Sequence, residues 1–155
     1  MPERRIDPRE RVLTPLPAWR WRLRALLLTA VVSPLLELAS FARVARWLAG
    51  DPARPSFDGV GLDDAALAAW VDRIQAHLPG PWRRTCLRRC AVLYAILRRA
   101  GRPVELWIGV RREAPATPVV AHAWLVLNGA PYLEPEPDHP ARHTPIARFP
   151  GTALS

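Results

Sequence analysis

Apolar and polar positions recur along this chain with two different periods, first helical and then alternating. Residues 19–48 are rich in leucine, alanine and valine, with arginines grouped near both ends. Their spacing predicts two helices, over 19–32 and 35–48, broken at Pro34 and closed by Gly50. Residues 51–61 carry two prolines and two glycines and read as a linker. Asp63 or Asp64 can cap a third helix with the apolar stripe Leu67, Trp70, Val71, Ile74 and Leu78; Pro79-Gly80-Pro81 ends it.

Thr85 is placed to cap a fourth helix. Its apolar face, Cys86, Cys90, Leu93, Tyr94 and Leu97, follows a repeat close to 3.6 residues. Arg98 and Arg99 suit the negative end of the helix dipole, and Gly101 suits the residue just beyond it. The period then changes to two. Residues 103–110 predict a strand with Val104, Leu106, Ile108 and Val110 on one face. A polar loop over 111–118 leads to a strand over 119–127, apolar on both faces and therefore central. Asn128-Gly129 is a hairpin signal, and 131–134 predicts a short third strand. The tail after Pro135 is rich in proline and histidine and reads as irregular.

This pattern predicts an α+β fold in which a cysteine-bearing helix packs on a small antiparallel sheet, with further helices in front. It divides the chain into a flexible arm over 1–17, apolar helices and linker over 18–61, and a core over 62–155.

Composition narrows the setting. The 155 residues are 50% hydrophobic and 23% charged, enough for one globular core. The net charge is +8 and every basic residue is arginine, which fits coding bias or an acidic partner. Trp19-Arg20-Trp21-Arg22 invites a nucleic-acid reading, but no reading motif accompanies it, so no nucleic acid is expected. Between residues 25 and 42 the only charge is Glu37. A spanning helix needs about 20 mostly apolar residues. With Pro34 inside the stretch, helices packed on the domain or a partner are expected, and membrane association is not. Two cysteines four residues apart on one helix do not close a disulfide readily, which points to a reducing cytoplasm.

The chemistry gathers on Cys86, His122 and a nearby acid. Cys86 falls in the first helical turn, where unpaired N–H groups favour a thiolate. Cys90, one turn deeper on the apolar face, reads as a small buried hydrophobe. His122 lies in the central strand. Nucleophile, base and orienting acid are the minimum set for thiol acyl chemistry. Period-two register leaves the acid open. A two-residue turn at Asn128-Gly129 pairs Glu134 with Ala123 and points it away from His122. A three-residue loop with a bulge makes Glu134 a diagonal neighbour of His122 and sets Glu136 directly opposite; Asp138 is a third candidate.

Four segments together resemble the transglutaminase-like B2 proteins of lasso peptide biosynthesis. They are Cys86-Leu87, the run from Leu93 through Gly101, Glu105-Leu106-Trp107-Ile108-Gly109-Val110-Arg111, and Ala121-His122-Ala123-Trp124. The resemblance covers roughly residues 62–135. It implies a papain/transglutaminase-like core and a cysteine endopeptidase that removes the leader from a ribosomally made precursor peptide before macrolactam formation. It places the nucleophile at Cys86, the base at His122 and the acid at Glu134, where the family would carry aspartate. No glutamine stands shortly before Cys86 to supply a papain-type oxyanion donor. The Cys86 backbone N–H is one candidate, and Trp82 Nε1–H a second, with a core or rim aromatic as its ordinary reading. The residues before 62 read as apolar helices and not as the fused leader-recognition module that some relatives carry in front. The resemblance therefore implies a separate leader-recognition protein and an ATP-dependent lasso cyclase acting on the freed peptide. No cofactor is expected.

Two further alternatives use the same residues differently. A transglutaminase-like acyltransferase or amidase would share Cys86, His122 and the acid and differ in its acyl acceptor. A zinc site could be written from Cys86-x₃-Cys90 and His139-x₃-His143, but the cysteines sit at helical spacing and the histidines in a proline-rich tail. His77, at the end of the third helix, reads as a dipole-compensating surface residue.

Overall fold

The computed structural model describes residues 18–150 apart from 52, 57, 58, 60, 83 and 137, so the arm over 1–17 lies outside the described residues. Its elements are α1 (Ala18–Leu38), α2 (Phe41–Leu48), α3 (Asp64–His77), α4 (Cys86–Arg99), β1 (Glu105–Arg111), β2 (Val120–Leu127), β3 (Ala130–Tyr132) and β4 (Thr144–Phe149). Short 3₁₀ turns occupy Gly80–Trp82 and Pro140–Arg142.

The other elements are laid around α4. From Cys90 to Leu97 every one of its residues is buried, so it has no free face. Helices α1, α2 and α3 and strands β1 and β2 all pack against it. Leu93, Ile96 and Leu97 of α4 share one core with Val32 and Leu48 in front and with Leu67, Val71, Leu106 and Leu125. The caps read from sequence form: Asp63 Oδ1 accepts from Ala66 N at 2.9 Å, and Thr85 Oγ1 from Arg88 N at 3.2 Å. Gly101, with φ of 84°, takes the left-handed turn past α4. Arg98 and Arg99 also serve a different helix end from the one expected. They donate to carbonyls at the end of α2, Arg98 to Ala49 and Arg99 to Leu48.

The expected break at Pro34 is absent, because α1 runs through it to Leu38. Proline lacks the N–H that would bond the carbonyl four residues back, here that of Ala30. Trp82 Nε1–H supplies that bond instead, at 3.2 Å. The chain breaks later, at Ala39-Ser40.

The sheet is antiparallel throughout, in the order β3-β2-β1-β4. β2 is an inner strand, as its two apolar faces predicted. The tail is not irregular: 144–149 adds β4 to the free edge of β1. Pro145 hid it from the pattern, since proline cannot donate to a ladder. Here the register shifts between Ile108 and Gly109, where Pro145 joins the pairing, and the strand lies at the edge. On the opposite edge Tyr132 donates to Asp64 Oδ2 at 2.6 Å, tying β3 to the start of α3.

Candidate active site

Cys86 opens α4 and His122 lies on β2, which packs against that helix. Thr85 caps the third N–H of the first turn and leaves those of Cys86 and Leu87 pointing out of the helix end. Cys86 is half-buried and lines the same cleft as His122. Burial pushes its thiol up, but the neighbouring His122 ring with its charge and the nearby Ala123 and Leu87 backbone outweigh it, so its pKa falls below the usual thiol value. Cys90 differs in every respect. It is 1% exposed, its Sγ donates to the Ala123 carbonyl at 3.3 Å, and burial drives its pKa up to about 12. A thiol held protonated in that way is a poor nucleophile.

His122 is buried, with Glu134 Oε1 at 3.2 Å from its Nε2. The neighbouring Cys86 and the hydrogen-bonded Glu134 carboxylate raise its pKa to about 9 against the opposing pull of burial. The two shifts have opposite signs, as in a thiolate–imidazolium pair. With Nε2 given to Glu134, Nδ1 is the nitrogen left for the thiol proton. Trp124, two residues along on the same face, stacks on the imidazole at 5.8 Å between centroids and an interplanar angle of 14°. Across the ladder from His122 stands Gly109.

Glu134 reaches His122 by a route that register counting missed. Asn128 and Gly129, at φ 52° and 80°, form a two-residue turn, and Leu127 pairs with Ala130. No bulged loop is present there. That register continued would turn Glu134 away. Instead β3 stops at Tyr132, and Leu133 adopts a left-handed φ of 55°. This reverses the side-chain alternation and swings Glu134 towards the imidazole. The conformation costs a non-glycine residue on the order of 1–2 kcal/mol, so its surroundings must hold it. The Leu133 side chain packs on the core, and its carbonyl accepts from Arg89 Nη2 at 2.8 Å. Glu136 does not sit opposite His122: its side chain is 76% exposed and lies 3.9 Å from His139 Nδ1. Asp138 is exposed.

Cys86, His122 and Glu134 line a cleft of about 320 Å³ with Arg84, Ala121 and His139 on its walls. The Cys86 N–H at the helix end remains a candidate oxyanion donor. Trp82 does not, because its indole N–H is given to Ala30.

Three of the chain's four histidines gather here in a way the sequence did not announce. The rings of His139 and His143 lie 4.4 and 5.3 Å from that of His122. The proposed Cys₂His₂ zinc pattern is not assembled. Cys90 is turned onto a backbone carbonyl in the core, and His143 Nδ1 bonds the His139 carbonyl at 2.8 Å. Among the described residues the ligand atoms close enough for one cation are those of His122, Glu134 and His139, all within 4.8 Å of one another. His77 is exposed and bonds Arg73 O within its own helix, as a surface histidine.

No described helix is long and apolar enough to cross a membrane. No curated protein and no solved structure matches the chain. A family model does, over residues 18–148, and its description is "Transglutaminase-like superfamily".

Proposed function

The chain belongs to the transglutaminase-like superfamily, and on that premise we propose that it is a cysteine endopeptidase removing the leader from a lasso-type precursor peptide. The observation that carries this reading is the junction of Cys86, His122 and Glu134 at the mouth of one cleft. A cysteine enzyme of the papain type is what the superfamily and this junction support together. The leader-peptidase assignment rests on the four segments quoted from the sequence.

In the proposed reaction the Cys86 proton resides on His122, and Glu134 stabilises the resulting imidazolium. The thiolate attacks the scissile carbonyl carbon. The carbonyl oxygen takes the negative charge, facing the Cys86 N–H at the positive end of α4. His122 then gives its proton to the leaving amine, the carbon–nitrogen bond breaks, and a thioester remains. Neutral His122 next takes a proton from water, which attacks the thioester and releases the carboxylate and the thiol.

The reading carries partners with it. The precursor peptide is the substrate, a separate leader-recognition protein presents it, and an ATP-dependent cyclase uses the freed core, all in a reducing cytoplasm. Exposed Leu23, Leu27, Leu38 and Trp47 on α1 and α2 support these helices as the docking face.

The test is incubation with a lasso precursor, with and without its leader-recognition protein, followed by mass spectrometry. Release of an intact leader supports the proposal. No cleavage with both present overturns it. Transfer of the acyl group to an added amine in place of water moves the assignment to the acyltransferase alternative.

A further inference from the structure

We propose that Arg89 is a positioning residue for this site: it braces the helix carrying Cys86 against the bend that delivers Glu134. The inference rests on the Cys86–His122–Glu134 reading given above. Arg89 follows Cys86 by one helical turn and is only 5% exposed. An arginine so buried must be paired. Its Nε donates to Asp72 Oδ1 at 2.7 Å, which supplies the countercharge from α3. Its Nη2 donates to the Leu133 carbonyl at 2.8 Å. That carbonyl belongs to the peptide unit joining Leu133 to Glu134. One rigid guanidinium therefore fixes the left-handed residue and the orientation of the acid after it.

The geometry needs arginine and not merely a cation. Two bonds leave the guanidinium in different directions, one to a carboxylate and one to a carbonyl on another element. A lysine ammonium can keep the charge near Asp72 but does not offer that fixed fork. Without the second bond, Leu133 is free to return to an extended conformation. The register set by the two-residue turn would then point Glu134 away from His122. Arg89 gives its hydrogen bonds to Asp72 and Leu133 and makes none to Cys86 or His122, so it would act only through Glu134.

The experiment measures carbamidomethylation of Cys86 against pH by peptide mass spectrometry, in the full chain. It compares wild type, Glu134→Gln, Arg89→Lys and the double variant, with thermal melts confirming that each is folded. This reads the thiolate without any peptide substrate. Losing Glu134 weakens the imidazolium, so the Cys86 midpoint should rise, by roughly one unit for one lost opposite charge. Arg89→Lys should raise it in the same direction. The double variant should rise no further than Glu134→Gln alone, because both act through one contact. A wild-type midpoint in Arg89→Lys, or an additional rise in the double variant, overturns the positioning role and leaves the triad standing. An unchanged midpoint in Glu134→Gln overturns the triad's acid and the Arg89 role with it. If Arg89→Lys fails to fold, Asp72→Asn, which frees the Arg89 fork from its carboxylate, replaces it with the same expected direction and the same overturning result.

Discussion

Trp82 donates its indole N–H to Ala30, the carbonyl that Pro34 leaves without its usual helical donor. One contact thus lets α1 continue through a proline and pins the turn before Cys86 to that helix. Trp82→Phe keeps the ring's bulk and removes the donor. Ala30 is exposed, so the loss is that of one net hydrogen bond, about 0.5–1.5 kcal/mol, and the melting temperature should fall. Pro34→Ala restores the helical N–H and should recover most of the loss in the double variant. Equal losses in the presence and absence of Pro34 would break the link.

Cys86→Ala and His122→Ala should each abolish cleavage while leaving the thermal melt near wild type, since both line the cleft. Cys90→Ala should keep most activity, because Cys90 is buried with its thiol held on the Ala123 carbonyl. Turnover by Cys86→Ala, or a loss confined to Cys90→Ala, would move the nucleophile.

Glu134→Gln should keep the fold and lower kcat on the order of 10²-fold, the lower range for a general acid–base partner. Glu136→Gln should cost little, given its exposed side chain. Glu134→Asp keeps the charge with less reach and should fall between them. If neither glutamine variant slows cleavage, the enzyme works as a Cys-His pair.

The pH profile follows from the two shifted groups. The thiolate–imidazolium form exists above the lowered Cys86 pKa and below that of His122, near 9. Cleavage should rise with pH through the first. It should fall through the second, as His122 loses the proton it must give the leaving amine. Alkylation of Cys86 needs only the thiolate and should not fall above pH 9. A matching fall in both rates would remove His122 from the acid role.

Gly109 is required by what crowds its α-carbon. A Cβ there would lie 2.7 Å from Trp124 Cη2 and 2.9 Å from the Thr144 carbonyl. Gly109→Ala must displace Trp124, which stacks on His122. Overpacking of this kind costs about 1–3 kcal/mol. The melting temperature should drop by about 2–4 °C for each of those, with a loss of kcat/KM. Wild-type values in both would show that the tryptophan has room to move.

Elements whose cause is local were legible in the residues alone. The caps at Asp63 and Thr85, the glycine end of α4 and the Asn128-Gly129 turn depend on residues within a few positions of each other. Periodicity likewise marked α4 and the inner strand β2, because burial on a helix or sheet face repeats with the backbone's own geometry. The cysteine and histidine stood out for the same reason: one opens a helix and the other sits in an apolar strand.

Whatever depended on a partner far along the chain emerged only in the folded molecule. Pro34 breaks a helix unless another element satisfies Ala30, and Trp82 does so from beyond α3. Pro145 argues against a strand unless the strand lies at an edge, beside an irregular register. Glu134 points away from His122 by strand arithmetic, and Leu133 reverses that by entering a conformation its own sequence disfavours. Core packing and the buried Arg89, bonded to Asp72 on one side and Leu133 on the other, accompany that conformation. A run of arginines reads from sequence as a solvated face. Only the folded chain distinguishes Arg89, which is buried between three elements, from the arginines that meet water.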